Sequence, residues 1–503
     1  MRLIHAAIVL PLLTVALPFA CAATPQTLGY LPSDDAGHLG SDASDGGTAG
    51  EGGSPTFGGG ASPPPSGCTN LQCQVHSCPG GVAGAQVTGQ VFDPAGRDPL
   101  YNVVVYIPNS PGGKLDPIPL GVNSASCSCD ALFSGEPLAV ALTDAEGNFT
   151  LTGAPDGADI PLVVQIGKWR KEITLPPVAP CATTSAGKIT LPKSFSDGAY
   201  ASLPNIAVST GMADALECLL TRIGVDESLF TGSKSGPGVH IFQGTGNAVA
   251  GGSLASSAAL WDDLPDLLGY DIVMLSCEGD PTYGVDATTA GYMASYVSQG
   301  GRVFAEHYHY AFFVDPSSGS AYPPFANVAN WLNIDGGTDF YTQDISGIIE
   351  PTLAGGRPFP EGAALKAWLG AVGALSIDGE IVVPEGNAMH DATVTAGNLA
   401  TAWVQTDPSV SPASTQYFSW DMPFDAAKND AGVPQYCGRA VFSNMHVAGS
   451  ANDYPGGSGT VPAGCDSRAA LWPDEKAIEF ILFDLSSCLV PIGSTPKPPG
   501  VLQ

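Results

Sequence analysis

The 503-residue chain is acidic, with 18 Lys and Arg against 48 Asp and Glu and a formal net charge of −30. A surface of that sign repels phosphate backbones and anionic headgroups, which excludes nucleic acid as a partner and direct adhesion to anionic membranes. With 44% apolar and 13% charged residues, 63 Gly and 44 Pro, the composition points to loop-rich β and α/β structure rather than helical bundles, and the length suggests two or three domains at about 150 residues each.

Residues 1–23 read as an export signal: Arg2 gives a positive start and residues 6–19 an apolar core that is short for a permanent membrane span. Two cleavage readings compete. Ala20-Cys21 resembles the end of a bacterial lipobox, in which Cys21 would be lipidated, although Pro18 and Phe19 replace the usual Leu and small residue; Ala20-Cys21-Ala22 also fits an ordinary signal peptidase site. The next tract favours the lipid anchor. Residues 24–67 are rich in Gly, Ser, Pro and Asp with no Lys or Arg, so they cannot offset chain entropy with a core and serve as a flexible tether. The tether, with its Cys cluster, is taken to residue 79. The expected address is outside the cytosol: an outer-membrane or cell-surface lipoprotein touching the membrane only through its anchor, or a periplasmic or secreted protein.

Cysteine usage agrees with that address. Of 12 Cys, setting Cys21 aside leaves an odd number, so disulfides plus one thiol that is free or paired outside the chain are expected. Cys68, Cys73, Cys78 and His76 could be drawn as a metal knuckle, but their spacing lacks the CxxC hairpin of zinc sites.

From residue 80 to 194 the pattern is one of short alternating strands. Runs such as Val87 to Asp93, Tyr101 to Pro108, 139–143, 149–151 and 160–166 are separated by Asp-Pro and Asp-Ala-Glu-Gly-Asn turns, which describes a small β-sandwich. GQVFDPAGRDPLYNVVVYIP followed by TDAEGNFTL resembles the carboxypeptidase regulatory-like domain, a transthyretin-like sandwich close to the Cna-B repeats. The resemblance implies an accessory stalk or binding module without catalytic residues of its own. Residues 109–136 are inserted between the second and third strands, and Cys127-Ser128-Cys129 within them reads as a pair of disulfide anchors rather than a redox or metal pair. Lys168-Trp169-Arg170-Lys171, the one basic cluster, is a partner contact or edge-strand charge that blocks aggregation.

Residues 204–490 alternate buried strands with helices; 311–435 reads as an insertion and sheet extension, and 491–503 as a flexible tail. A strand opens at Ile206, Asp214 is placed to cap a helix over 215–223, and 239–244 is the next buried strand. It ends in Gly244-Thr245-Gly246-Asn247, a weak anion-cradle signal that lacks a third glycine. Residues 271–276 are nearly continuously apolar, as in parallel strands buried on both faces. A helix over 287–298 carries Ala290, Met293, Ala294 and Val297 on one stripe, Gly300-Gly301 stops it, and 302–305 is a second buried strand. A late strand ends at His446, and a helix over 473–485 follows. Strand, helix and strand closing on GGRVFAEH resemble the class I glutamine amidotransferase-like superfamily and its trehalose-utilisation (ThuA-like) branch, over residues 239–310 and again near Gly438. That resemblance implies a three-layer α/β, flavodoxin-like domain. Its enzymes carry Cys in a G-x-C-x-G elbow; the matching positions here read Ala305-Glu306-His307-Tyr308-His309, and Val447-Ala448 replaces the Pro-x-Glu motif after the late His.

Ligands of open α/β sheets sit at the carboxyl ends of the strands, so Gly244, Cys277, Glu278, Gly279, Glu306, His307, His309 and His446 are the candidate crevice residues. If the strand continues through His307-Tyr308-His309, period two puts both imidazoles on one side, and Glu278 would complete a divalent-metal set; no other cofactor is expected. Cys277 is a second candidate nucleophile with His307, His309 or His446 as base, or else a disulfide partner of Cys218; Cys488 is placed to pair with Cys437 or Cys465. The altered elbow and accessory first domain favour a non-catalytic binding or scaffolding role toward a cell-envelope or extracellular carbohydrate or protein ligand. The alternative is a hydrolase of carbohydrate or amide substrates through Cys277 and a His, or through the His-bound metal.

Overall fold

The computed structural model describes residues 67–79, 84–123, 126–127, 132–211, 214–232, 234, 236–244, 254–279, 284–332, 339–430, 432–446, 465, 468 and 470–501. The export signal, Cys21, most of the tether and residues 245–247 lie outside them. The described chain is mostly β-sheet, in six sheets with few helices, and residues 60 onward form one compact unit.

Two of the sheets are built from strands between Ala85 and Ser202. Ala85–Phe92 lies between Asn148–Ala154, antiparallel, and Thr183–Thr190, parallel. The five-stranded sheet runs Pro137–Leu142, Val104–Pro108, Pro161–Ile166, Trp169–Thr174, Ala199–Ser202. Alternation decides what is buried: Val87, Val91, Phe149 and Leu151 from one sheet share an apolar core with Val105, Ile107, Leu162 and Val164 from the other. The second face of the Val104–Pro108 strand is covered as well. Val104, Tyr106 and Val163 pack on Leu115 and Phe133 of the 109–136 insertion, and the Cys127–Cys437 disulfide ties that insertion to the start of a strand 310 residues away.

The ten-stranded sheet is parallel along one half and antiparallel along the other. Phe230–Thr231, Val239–Phe242, Ile206–Ser209, Ile272–Leu275, Arg302–Glu306 and Gly438–Ser443 are parallel neighbours in that order. Thr415–Met422, Thr401–Thr406, Ile345–Ile349 and Ile381–Val383 extend the sheet antiparallel. The parallel strands Ile206–Ser209, Val239–Phe242, Ile272–Leu275 and Gly438–Ser443 are buried at every residue, as expected where both faces are covered. The Ala287–Ser298 helix starts at Asp286, whose carboxylate accepts from the Thr288 and Thr289 amides, and it buries Ala290, Met293, Ala294 and Val297. It stops at Gly300, φ +120°; a Cβ on the next residue, Gly301, would stand 2.3 Å from the Tyr296 ring.

Two local expectations are corrected. Asp214 does not cap the Leu216–Arg222 helix; the cap position is Ala215, with no side-chain bond, and Asp214 is buried in the interior. Cysteine pairing also differs. Cys218 bonds Cys465 and Cys437 bonds Cys127, so neither is the partner of Cys277 or of Cys488, which is itself disulfide-bonded. Cys68–Cys73 and Cys78–Cys181 account for the amino-terminal cluster, and His76 Nδ1 meets Asp156 Oδ2 at 2.7 Å.

The Pro473–Ser486 helix joins the small sheets to the large one. Phe480 stacks on Tyr101, Phe483 packs on Trp169, and the Glu475 carboxylate pairs with Arg222 in full burial. Glu479 is buried on the same helix against Asp93 and Asp98. Burial first, then the charges of Asp93 and Asp98, hold its carboxyl well above the usual range. Burial likewise pushes Asp93 up to about 7, against the opposing pull of the Arg97 amide. Both folded-state values lie above the unfolded ones, so this contribution to stability is full below about pH 4 and is lost as pH rises through the Asp93 value. Melting at pH 5 and pH 8 tests it. Glu479→Gln should raise the Tm at pH 8 by a few degrees and narrow the gap between the two pH values; an unchanged gap contradicts the coupling.

Candidate functional site

Parallel pairing in register sets the site. Leu275 is opposite Ser209 on one side and Ala305 on the other, and Glu306 is opposite Ser443. The residues that follow each strand therefore leave the sheet at one rim: Thr210, Ser276 to Gly279, His307, and Asn444 to His446. Backbones approach closely here. A Cβ at Gly211 would fall 2.1 Å from the Cys277 carbonyl oxygen, and one at Gly244 would fall 2.7 Å from the Glu278 carboxyl carbon, so Gly244 is a packing requirement of this wall.

The Arg302–Glu306 strand ends at Glu306, and His307–Phe312 is a 3₁₀ turn. His307 takes φ +34°, a region costly for a side chain with a Cβ. The expectation that His307 and His309 share one side of a strand is thereby corrected. His309 Nε2 donates to the Ser276 carbonyl at 2.9 Å and stands 3.7 Å from Glu278 Oε1, whose carboxylate also accepts from Ser209 Oγ at 2.5 Å. His307 turns the other way. Its Nδ1 is 3.2 Å from Cys277 Sγ, and its Nε2 is 3.0 Å from Asp339 Oδ2 and 3.3 Å from Asp391 Oδ2.

Those contacts assign the tautomer. A carboxylate only accepts, so His307 donates through Nε2 and leaves Nδ1 to accept from the Cys277 thiol. His446 joins from the Gly438–Ser443 strand, its ring 5.0 Å from that of His307 and its Nδ1 3.7 Å from Asp214 Oδ2. Cys277, His307 and His446 offer ligand atoms within 4.8 Å of one another, as do His307, Asp339 and Asp391. His307, His309 and Glu278 form no such group among the described residues. Every one of these side chains is buried.

Burial sets the electrostatics. It raises the Cys277 thiol well above its ordinary value, with the Asp214 charge adding to it, while the amides of Gly279 and Tyr308 pull the other way. It lowers His307 and, further, His446. Burial and then the Asp214 charge push Glu306 well up, and burial with the Asp339 charge does the same to Asp391. Burial would also raise Asp339, but the His307 contact outweighs it and holds this carboxyl below the usual range. No lysine or arginine is among the groups shifting these six side chains.

Three residues here escaped the sequence reading: Asp214, taken for a helix cap, and Asp339 and Asp391, which fall in the least patterned stretch of the chain. The pair His390-Asp391 carried the compositional signal, a second His beside an acid.

No protein-family model matches the chain, and no curated protein matches it. Among solved structures it is similar to an exo-β-1,4-mannosidase from Opitutaceae bacterium strain TAV5, at 10% identity and TM-score 0.23, covering 49% of this chain and 32% of that one. It is also similar to a 9R-lipoxygenase from Cyanothece PCC8801, at 15% identity and TM-score 0.11, covering 21% and 16%. The chain thus spans about a third or less of either protein, and likeness at these scores carries no argument about fold or function. The disulfides mark a chain that matures in an oxidising, extracytosolic compartment, and no helix of the described residues is long and apolar enough to cross a membrane.

Among the described cysteines only Cys277 is free. Peptide mapping without reduction should return Cys68–Cys73, Cys78–Cys181, Cys127–Cys437 and Cys218–Cys465. Iodoacetamide should modify Cys277 only after unfolding; rapid native labelling would contradict the burial and the raised pKa.

Proposed function

We propose that the chain is an exported, surface-tethered hydrolase whose reaction centre is the rim of the parallel strands at Cys277, His307 and His446. The observation that carries this reading is the state of Cys277. In a chain whose other described cysteines are all oxidised, one thiol stays reduced against an imidazole that is itself oriented by a carboxylate. A thiol kept for packing needs no such partner, whereas an imidazole donating through Nε2 to Asp339 is ready to take a proton at Nδ1.

The finer architecture belongs to the same proposal. The two small sheets are read as a transthyretin-like accessory module, and the parallel strands with their helices as a flavodoxin-like, amidotransferase-like layer whose elbow carries His307 in place of the nucleophile. The positive φ of His307 supports that elbow reading. The amidotransferase-like resemblance and its sugar-related branch suggest amide or carbohydrate substrates. Lipidation at Cys21 would hold the protein at the envelope through the 24–79 tether.

A non-catalytic binding role is the second reading, favoured by the deep burial of the site side chains. Turnover separates the two. The mature protein is assayed against chromogenic amides, esters and glycosides. Cys277→Ser and His307→Gln should each lower kcat/KM by about 10²-fold or more, and Asp339→Asn by about 10- to 100-fold, with Tm changes of only a few degrees. Absence of turnover on all three substrate classes, or full activity of Cys277→Ser, contradicts the hydrolase.

A further inference from the structure

We propose that Cys277, His307 and His446 hold a divalent transition-metal ion of the zinc class. The proposal rests on the hydrolase reading only for the ion's use, not for its binding, and with the ion bound Cys277 Sγ and His307 Nδ1 are ligands in place of a thiol–imidazole proton-transfer pair. Three independent features support it.

The first is spacing. A thiolate and an imidazole on one tetrahedral ion, with metal–sulfur about 2.3 Å and metal–nitrogen about 2.0–2.1 Å, stand about 3.5 Å apart. Cys277 Sγ and His307 Nδ1 are 3.2 Å apart, and the third ligand atom lies within 4.8 Å of both. Seating the ion asks Cys277 and His307 to part by a few tenths of an ångström and His446 to close by at most about 1.3 Å.

The second is the far side of each ring. Metal-bound imidazoles usually give their other nitrogen to a carboxylate, which fixes ring and tautomer. His307 does so with Asp339 and Asp391, and His446 directs Nδ1 toward Asp214. That leaves His446 Nε2, a buried nitrogen without a hydrogen-bond partner among the described residues. An orphaned buried nitrogen is costly, and a metal ion gives it a partner.

The third is charge. Asp339 and Asp391 stand 3.0 and 3.3 Å from His307 Nε2, and Glu306 is buried at the end of the strand that leads into His307. A divalent cation adds positive charge among these carboxylates. Mixed sulfur and nitrogen donors select zinc-class ions over Mg²⁺ or Ca²⁺. Three protein ligands leave a fourth position for water or substrate, the arrangement of catalytic rather than structural zinc. The Cys277 proton leaves to solvent as the ion enters. This set replaces His307, His309 and Glu278: His309 Nε2 is bound to the Ser276 carbonyl and Glu278 to Ser209.

The test is metal analysis of untagged mature protein, followed by Co²⁺ replacement. About one equivalent of metal is expected, and the Co²⁺ form should show a near-ultraviolet thiolate-to-metal band that Cys277→Ser abolishes. His446→Gln should weaken binding by at least tenfold, and Asp339→Asn by about 10- to 100-fold. A folded wild type that takes up neither Zn²⁺ nor Co²⁺ overturns the proposal. So does binding that is indifferent to Cys277→Ser and His446→Gln, which would put the ion on His307, Asp339 and Asp391. Metal uptake without turnover upholds the site and removes the hydrolase; turnover by metal-free protein, abolished by Cys277→Ser, does the reverse.

Discussion

The contact between Cys277 Sγ and His307 Nδ1, 3.2 Å long, is the constraint around which the rest of the rim is arranged. It exists because the Ile272–Leu275 and Arg302–Glu306 strands are parallel neighbours in register, so that residues 30 apart in sequence leave the sheet side by side. The left-handed turn at His307 then decides which way the ring faces. A continued strand would have put it on one face of the sheet; the turn sets it against the thiol. Backbone strain of that kind costs on the order of 1–3 kcal/mol and persists only where surrounding contacts impose it. Here those contacts are the two aspartates on Nε2.

The same rim concentrates acidic groups in a region with little water. Glu306 and Asp391 are fully buried, and taking a charge out of water costs several kcal/mol. Protonation relieves part of that cost, which is why Glu306 and Asp391 are shifted upward. A bound cation relieves it differently and also uses the orphaned His446 nitrogen. The thiol, the imidazoles and the carboxylates then form one electrostatic unit rather than a set of separately strained groups. On the opposite edge of the parallel strands the balance is conventional, with Arg439 clasped by Asp421 and Asp484 at 2.7 and 2.9 Å.

Much of this was legible before the structure. The apolar runs at 271–276 and 302–305, the stripe on the 287–298 helix and its Gly300-Gly301 stop are local patterns, and they place Cys277, His307 and His446 at one end of the sheet. What the pattern could not give were partners joined by distance rather than periodicity. Asp339 and Asp391 lie in turns of the extension, where no period marks a residue as buried, and Asp214 stands where a helix cap is usual. The disulfides close separations of 103, 247 and 310 residues, for which spacing offers no rule. The HxH pair misled because period two was extended three residues beyond the strand.

X-ray absorption at the metal edge of the loaded wild-type protein addresses the central claim most directly. The account predicts one sulfur at about 2.3 Å and two imidazole nitrogens at about 2.0–2.1 Å, with a lighter fourth ligand. A first shell of oxygen and nitrogen alone, without sulfur, would contradict it.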